Sequence, residues 1–339
     1  MFVPPCASRA LTAFALVTLS TAASSAAAAP DTLVWSETTG FTNTPSISTA
    51  TPPGGTATLV TDQTQVKGPN GVEFLGGRLW WPNQQRIPIS NGFTVSNQWS
   101  IGSSLPDGSD VQVISTGGFQ PYDLDLQGNL VYWTDQNSNV IRRFDVTTAR
   151  RTSSNFLTDL TSPFAIDVTA DAVYWSEVGT SNRIMRSDSD GSNITTLLTG
   201  INSYDFEVVG SQIYYTTTGG TVLRSALDGT GLTTLASGLG FLNGIDVTDD
   251  AIYVSALQGI FEGPGFTTLG AGRISRLNLD GSGAEVVHIA PQAFTSGVPF
   301  DPSLVRGVAV VTAPVPEPGA YALMLAGIAM VAGVVRRRR

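Results

Sequence analysis

Three observations predict an all-β fold, a six-bladed β-propeller closed by N- and C-terminal strands that share one blade. The first is a strand–turn–strand phrase repeated five times. It is clearest at Pro121–Asp135 and Pro163–Glu177, and looser at Gly71–Trp81, Tyr204–Tyr215 and Gly244–Val254. In every copy an acidic residue stands seven positions before an aromatic one: Glu73/Trp80, Asp125/Tyr132, Asp167/Tyr174, Glu207/Tyr214 and Asp246/Tyr253. The second is the set of Asp-Gly pairs at Asp107, Asp190, Asp228 and Asp280, each before an alternating apolar run, where glycine supplies the positive φ of a tight hairpin. The third is that the two ends of the chain carry complementary, incomplete sets of strands.

Residues 1–29 read as a secretory signal, with Arg9 as its positive region, an apolar stretch from Ala10 to Leu19, and small residues from Ser24 to Ala29. The only cysteine, Cys6, falls within this segment, so the mature chain has no thiol for disulfides or cysteine-based metal sites. The propeller itself is expected over residues 30–312. Without Arg9, Glu317 and Arg336 to Arg339, 13 basic residues face 26 acidic ones, a net charge of −13. Such a field repels nucleic acid and anionic lipid surfaces and favours cations or cation-bridged polymers.

After the signal, strands are expected at Thr32–Glu37, near Ser46–Ala50, and at Ala57–Thr61. Three strands are one short of a blade. The fourth is Gly307–Val311, which aligns with Gly244–Val247, and closing the ring this way removes a free sheet edge. The five complete copies, blades one to five in chain order, and this shared blade six make the ring. The third strands carry an arginine register at Arg143, Arg186, Arg224 and Arg276, while blade two replaces Asp-Gly by Val146–Ala149.

The paired phrases Tyr132-Trp133-Thr134-Asp135 and Tyr174-Trp175-Ser176-Glu177 resemble the YWTD repeats of the low-density-lipoprotein-receptor class B family. The resemblance spans roughly residues 70–290 and is good in two blades. It implies a six-bladed propeller and a blade-holding role for Tyr132, Trp133, Asp135, Tyr174, Trp175 and Glu177. It does not imply a function, since propellers host binders and enzymes alike.

At the C-terminus, Pro316-Glu317-Pro318 lies in a linker over 313–319. An apolar segment at 320–335 follows, short for a single transmembrane helix, and then a basic tail at 336–339 that belongs on the cytoplasmic side. This three-part tail resembles the PEP-CTERM sorting signal of Gram-negative bacteria. It implies an exosortase as partner, transient anchoring in the inner membrane, and delivery to the envelope or an extracellular matrix.

Catalytic signals are sparse. The one histidine, His288, sits in the alternating strand Glu285–Ile289 and reads as a strand-face residue, and there is no G-x-S-x-G elbow. Asp188–Asn193 has a faint calcium-loop look, but its glycine is misplaced and it reads as a turn. Glu73, Asp125, Asp167, Glu207 and Asp246 fall on the strand that lines a propeller's channel, with Ala309 at their register in blade six. Buried carboxylates must be satisfied. The alternatives are channel water, backbone N–H groups, the arginine register, or a cation such as Ca2+; structural satisfaction is favoured.

Loop lengths point to a ligand face. From the aromatic to Asp-Gly is 16 residues for Tyr174 and 14 for Tyr214, but 27 for Trp80 and Tyr253. Insertions are therefore expected near Pro82–Asn97 and Leu257–Gly272, with a third long connection at Ala290–Arg306. They bring Phe93, Phe261, Glu262, Phe266, Phe294, Phe300 and Asp301 to one face of neighbouring blades. The reading favoured is a binding or matrix-interaction module, with extracellular polysaccharide or an envelope protein as candidate partner and no resident cofactor. The alternatives are an exported polysaccharide lyase or glycoside hydrolase, and a matrix structural protein.

Overall fold

The computed structural model describes residues 32–39, 45–50, 58–59, 66–84, 86–89, 92–95, 99–117, 119–148, 151–257, 259–260, 268–269, 272–290 and 303–311. The expected signal helix and C-terminal helix lie outside them. Six four-stranded antiparallel sheets form the ring, and the first strand of each contacts that of the next all the way round. These inner strands are Glu73–Leu75, Leu124–Gln127, Pro163–Val168, Phe206–Val209, Phe241–Val247 and Ser303–Val311. Blade six has the strand order Ser303–Val311, Thr32–Thr39, Ser46–Ala50, Thr58–Leu59, so the last described strand lies innermost and the first pairs with it. This is the closure the two chain ends predict. The closing strand begins earlier than Gly307, which shortens the connection expected up to Arg306.

The core explains why two bulky residues stand side by side in the repeat. Neighbouring residues in a strand point to opposite faces of the sheet. Tyr132 accordingly packs with Trp175 of blade three, whereas Trp133 packs with Trp80 of blade one. Tyr174 meets Tyr215, Tyr214 meets Val254, and Tyr253 meets Trp35 in the same way. Each blade interface thus has its own apolar cluster, and Trp35, Trp81, Trp133, Trp175 and Tyr215 are all at most 1% exposed. Removing one such aromatic costs roughly 3–5 kcal/mol.

Trp35-Ser36-Glu37 in blade six is a third copy of the Trp175-Ser176-Glu177 phrase. Trp35 Nε1 donates to Glu37 and Trp175 Nε1 donates to Glu177. Glu177 also accepts the Thr161 N–H and pairs with Arg183 at 2.7 Å, which pins the strand ends of blade three.

The outer turns behave as their sequences predict. Asp107, Asp190, Asp228 and Asp280 each accept the N–H of the residue two further on, with the intervening glycine at φ between 79° and 88°. In blade two Asp145 takes this role toward Thr147, without a glycine. The Asp188–Asn193 segment is such a turn: Asp188 receives Arg186 and the Asn193 amide. His288 packs against Trp35, tilted by 37° with centroids 4.0 Å apart, at the join of blades five and six, and burial lowers its pKa.

Both expected insertions lie between second and third strands, and each contains a two-stranded ribbon, Arg86–Ile89 with Gly92–Val95 and Gly259–Ile260 with Thr268–Leu269. The first insertion starts later than expected, because Pro82 and Asn83 still pair with Ile101 and Ser100.

Candidate functional site

Three positions before each register residue, Ala309 standing for the acid in blade six, the start of each blade places one side chain at the mouth of the central channel: Asn70, Tyr122, Phe164, Tyr204, Asn243 and Arg306. No motif in the sequence marks this ring. Its periodicity was available, since it shares the seven-residue frame, but no residue type repeats all round it. Three consecutive blades supply aromatics. The Tyr122 and Phe164 centroids lie 3.8 Å apart, and Phe164 stacks on Tyr204 at 4.7 Å and 22°. The other three blades supply amides and a cation. Asn70 Nδ2 donates to the Tyr122 carbonyl, Asn243 Nδ2 donates to the Arg306 carbonyl, and Arg306 Nη1 donates to Asn70 Oδ1. Glu73, Asp123 and Asp205 line the same recess, which offers about 20 Å³ to water-sized occupants.

Deeper in the channel, the acidic register acts as a set of staples. The Asp125 carboxylate accepts the Val168 N–H, Asp167 that of Val208, Glu207 that of Val247, and Asp246 that of Val310. The acids of blades two to five therefore each hold the inner strand of the next. Two positions upstream, Asp123 and Asp205 repeat the device toward Ile166 and Ile245 at 2.8 Å. Backbone N–H groups, one of the partners open from sequence, engage four of the five register acids. The arginine register does not reach these acids: Arg143 lies over the rings of Phe156 and Tyr132, Arg224 over Tyr214, and Arg276 pairs with Asp250. Among the described residues no group of three or more His, Cys, Asp or Glu is arranged to hold a metal ion. The acids are spread one or two to a blade over blades one to five.

Glu73 differs from its counterparts. It accepts no hydrogen bond from the described residues, because the N–H of Leu126 is turned onto Asp125 instead. Carboxylates crowded in a protein-walled channel resist ionisation. Burial pushes Asp123 up to about 7 and Asp167 up to about 6. Burial, reinforced by neighbouring carboxylates, holds Glu73, Asp125, Asp205 and Glu207 well above their usual range.

The mouth lies beside the insertion of blade one. Asn70 N–H bonds Pro82 O, Gln84 N–H bonds Gly68 O, and the Gln84 amide reaches Pro121 O, so the ribbon of blade one leaves beside the recess. Phe93 lies in that ribbon, opposite Pro88. Phe261, Glu262, Phe266, Phe294, Phe300 and Asp301 lie outside the described residues, as do Pro316, Glu317 and Pro318.

Comparison with known proteins agrees with both ends of this description. Residues 314–339 match the PEP-CTERM protein-sorting motif. Among solved structures, a chain from the crystal structure of a nidogen/laminin complex superposes with a TM-score of 0.59 at 16% identity, covering 82% of this chain and 98% of that one. No curated protein matches the sequence. At that identity the likeness shows the fold alone.

The class defined by the fold is the six-bladed β-propeller. This one carries a PEP-CTERM signal, the mark read by an exosortase, and is thereby exported and sorted at the envelope in Gram-negative bacteria.

Proposed function

We propose that the chain is a binding module of the cell envelope or extracellular matrix, which engages its partner through the face carrying the channel mouth. The observation that carries this reading is the uneven lining of the mouth. Repeats that served only to close a ring would place equivalent residues at equivalent positions. Instead Tyr122, Phe164 and Tyr204 form an aromatic arc opposite Asn70, Asn243 and Arg306. Aromatics beside fixed polar groups on a rigid scaffold are the composition of a recognition surface. The deeper acids are committed to backbone N–H groups, which favours binding over acid–base catalysis. On this reading the sorting tail at 313–339 presents the propeller outside the inner membrane, and the phenylalanines of the insertions extend the contact face.

The test is retention of the mature protein in the envelope and matrix fractions. Two variants are compared with wild type, Tyr122→Ser with Tyr204→Ser at the mouth, and Phe261→Ser with Phe266→Ser and Phe294→Ser in the loops. We expect the mouth variant to be released into the medium with its sorting intact and its melting curve nearly unmoved, and the loop variant to weaken retention further. Full retention of the mouth variant overturns the reading.

A further inference from the structure

We propose that the channel mouth is a lysine-binding site, which takes the ε-ammonium group of a lysine side chain on a partner protein. The inference rests on the binding-module reading and specifies its chemistry. The recess combines three carboxylates, Glu73, Asp123 and Asp205, with an arc of three aromatic rings, Tyr122, Phe164 and Tyr204. An ammonium group is attracted both by carboxylates and by aromatic faces, and gains most from the pair where water is largely excluded.

Charge selects the sign of the ligand. Seven acidic side chains line the mouth and channel, Asp125, Asp167, Glu207 and Asp246 completing the set, and Arg306 is the cation at the mouth among the described residues. An anionic group would meet this excess at close range. Glu73 marks where the positive charge belongs, as the register acid whose oxygens no described N–H or side chain engages. Unlike Asp123 and Asp205, it accepts no hydrogen bond from a described backbone N–H.

Size selects the ligand further. A space of about 20 Å³ for water-sized occupants admits a slender head such as –NH3+ on a methylene stem. A guanidinium plane or a pyranose ring needs more room than an ammonium head, and the amino group of an amino sugar sits directly on its ring. A metal ion is disfavoured by the spread of the carboxylates, which form no chelating group. Lysine's compact, flexible-stemmed charge is the protein side chain that fits. Burial and neighbouring carboxylates raise the pKa values of Glu73 and Asp205, and an entering cation would lower them.

The test titrates Nα-acetyl-lysine methylamide into the purified, secreted propeller at pH 7.5, followed by calorimetry and ligand-observed NMR. The arginine counterpart, glucosamine and CaCl2 serve as competitors. Saturable lysine binding is expected, at least tenfold tighter than that of the arginine compound or glucosamine. It should weaken about tenfold or more in Glu73→Gln, whose melting temperature stays at or above that of wild type because no staple is broken. Tyr204→Leu provides an independent variant and should weaken binding as well. Absence of saturable binding, equal affinity in both variants, or displacement by glucosamine or Ca2+ overturns the proposal. Envelope retention without lysine binding would sink this inference alone, whereas retention indifferent to the mouth sinks the broader reading.

Discussion

The Asp246 carboxylate of blade five accepts the backbone N–H of Val310, which lies 64 residues further along the chain in blade six. This bond and the pairing of Thr32–Thr39 with Ser303–Val311 close the ring from both sides. Val305, Val308, Ala309 and Val310 of the closing strand are all buried, against blades five, six and one. A chain ending at residue 300 should therefore lose far more than a tail. Relative to a chain ending at 312, we expect its melting temperature to fall by at least about 10 °C, given several large side chains exposed at roughly 2–5 kcal/mol each. Equal melting temperatures by calorimetry would contradict closure through this strand.

Packing at the same join leaves no room for a methyl group. A Cβ on Gly307 would sit 2.7 Å from Gly71 Cα, and one on Gly244 would sit 2.7 Å from Ser255 Oγ and 3.0 Å from Gly307 Cα. The neighbours at Gly307 are backbone and cannot rotate away. Gly307→Ala should destabilise by about 1–3 kcal/mol, read as a lower urea midpoint at unchanged m-value. An unchanged midpoint would mean that the inner strands have slack there.

The channel acids set the direction of the pH response. Asp123 and Asp167 titrate in the fold near 7 and 6, against an ordinary 3.8, and burial is the first cause in each. A carboxylate whose folded pKa is raised contributes fully below its unfolded pKa, and that contribution is lost as pH rises through the folded value. The groups facing each other across the channel are Glu73, Asp123, Asp125, Asp167, Asp205, Glu207 and Asp246, with Arg306 at the mouth. We expect thermal stability to decline between about pH 4 and pH 7, by up to about 3 kcal/mol through Asp167. Asp167→Asn should flatten that slope, since its amide oxygen can still accept the Val208 N–H but no longer titrates. Stability rising over this interval would contradict the assignment.

The tail makes a separate expectation. Glu317 is the acidic residue of Pro316-Glu317-Pro318 within the matched motif. Glu317→Ala should leave the protein in the membrane fraction, because the exosortase loses its recognition element. Fractionation with an antibody against the propeller reads this directly, and unchanged release would refute it.

The sequence alone determined the architecture, because the architecture rests on periodicity. The spacing of Asp125 to Tyr132, copied in four other blades, placed inner and second strands, and the incomplete sets at Thr32–Glu37 and Gly307–Val311 placed the closure. The sorting tail was equally legible, since its three parts are contiguous. What the acids do was open from sequence, because Asp125 and Val168 are 43 positions apart and meet only once the blades stand side by side. The mouth was hidden for a related reason. Asn70, Tyr122, Phe164, Tyr204, Asn243 and Arg306 share a register but no chemistry, so nothing along the chain marks them as a set. They become one surface only when ring closure carries residues 236 positions apart, Asn70 and Arg306, to within hydrogen-bonding distance. Strand period is a local property of the chain, whereas the lining of a channel is a product of how six sheets meet.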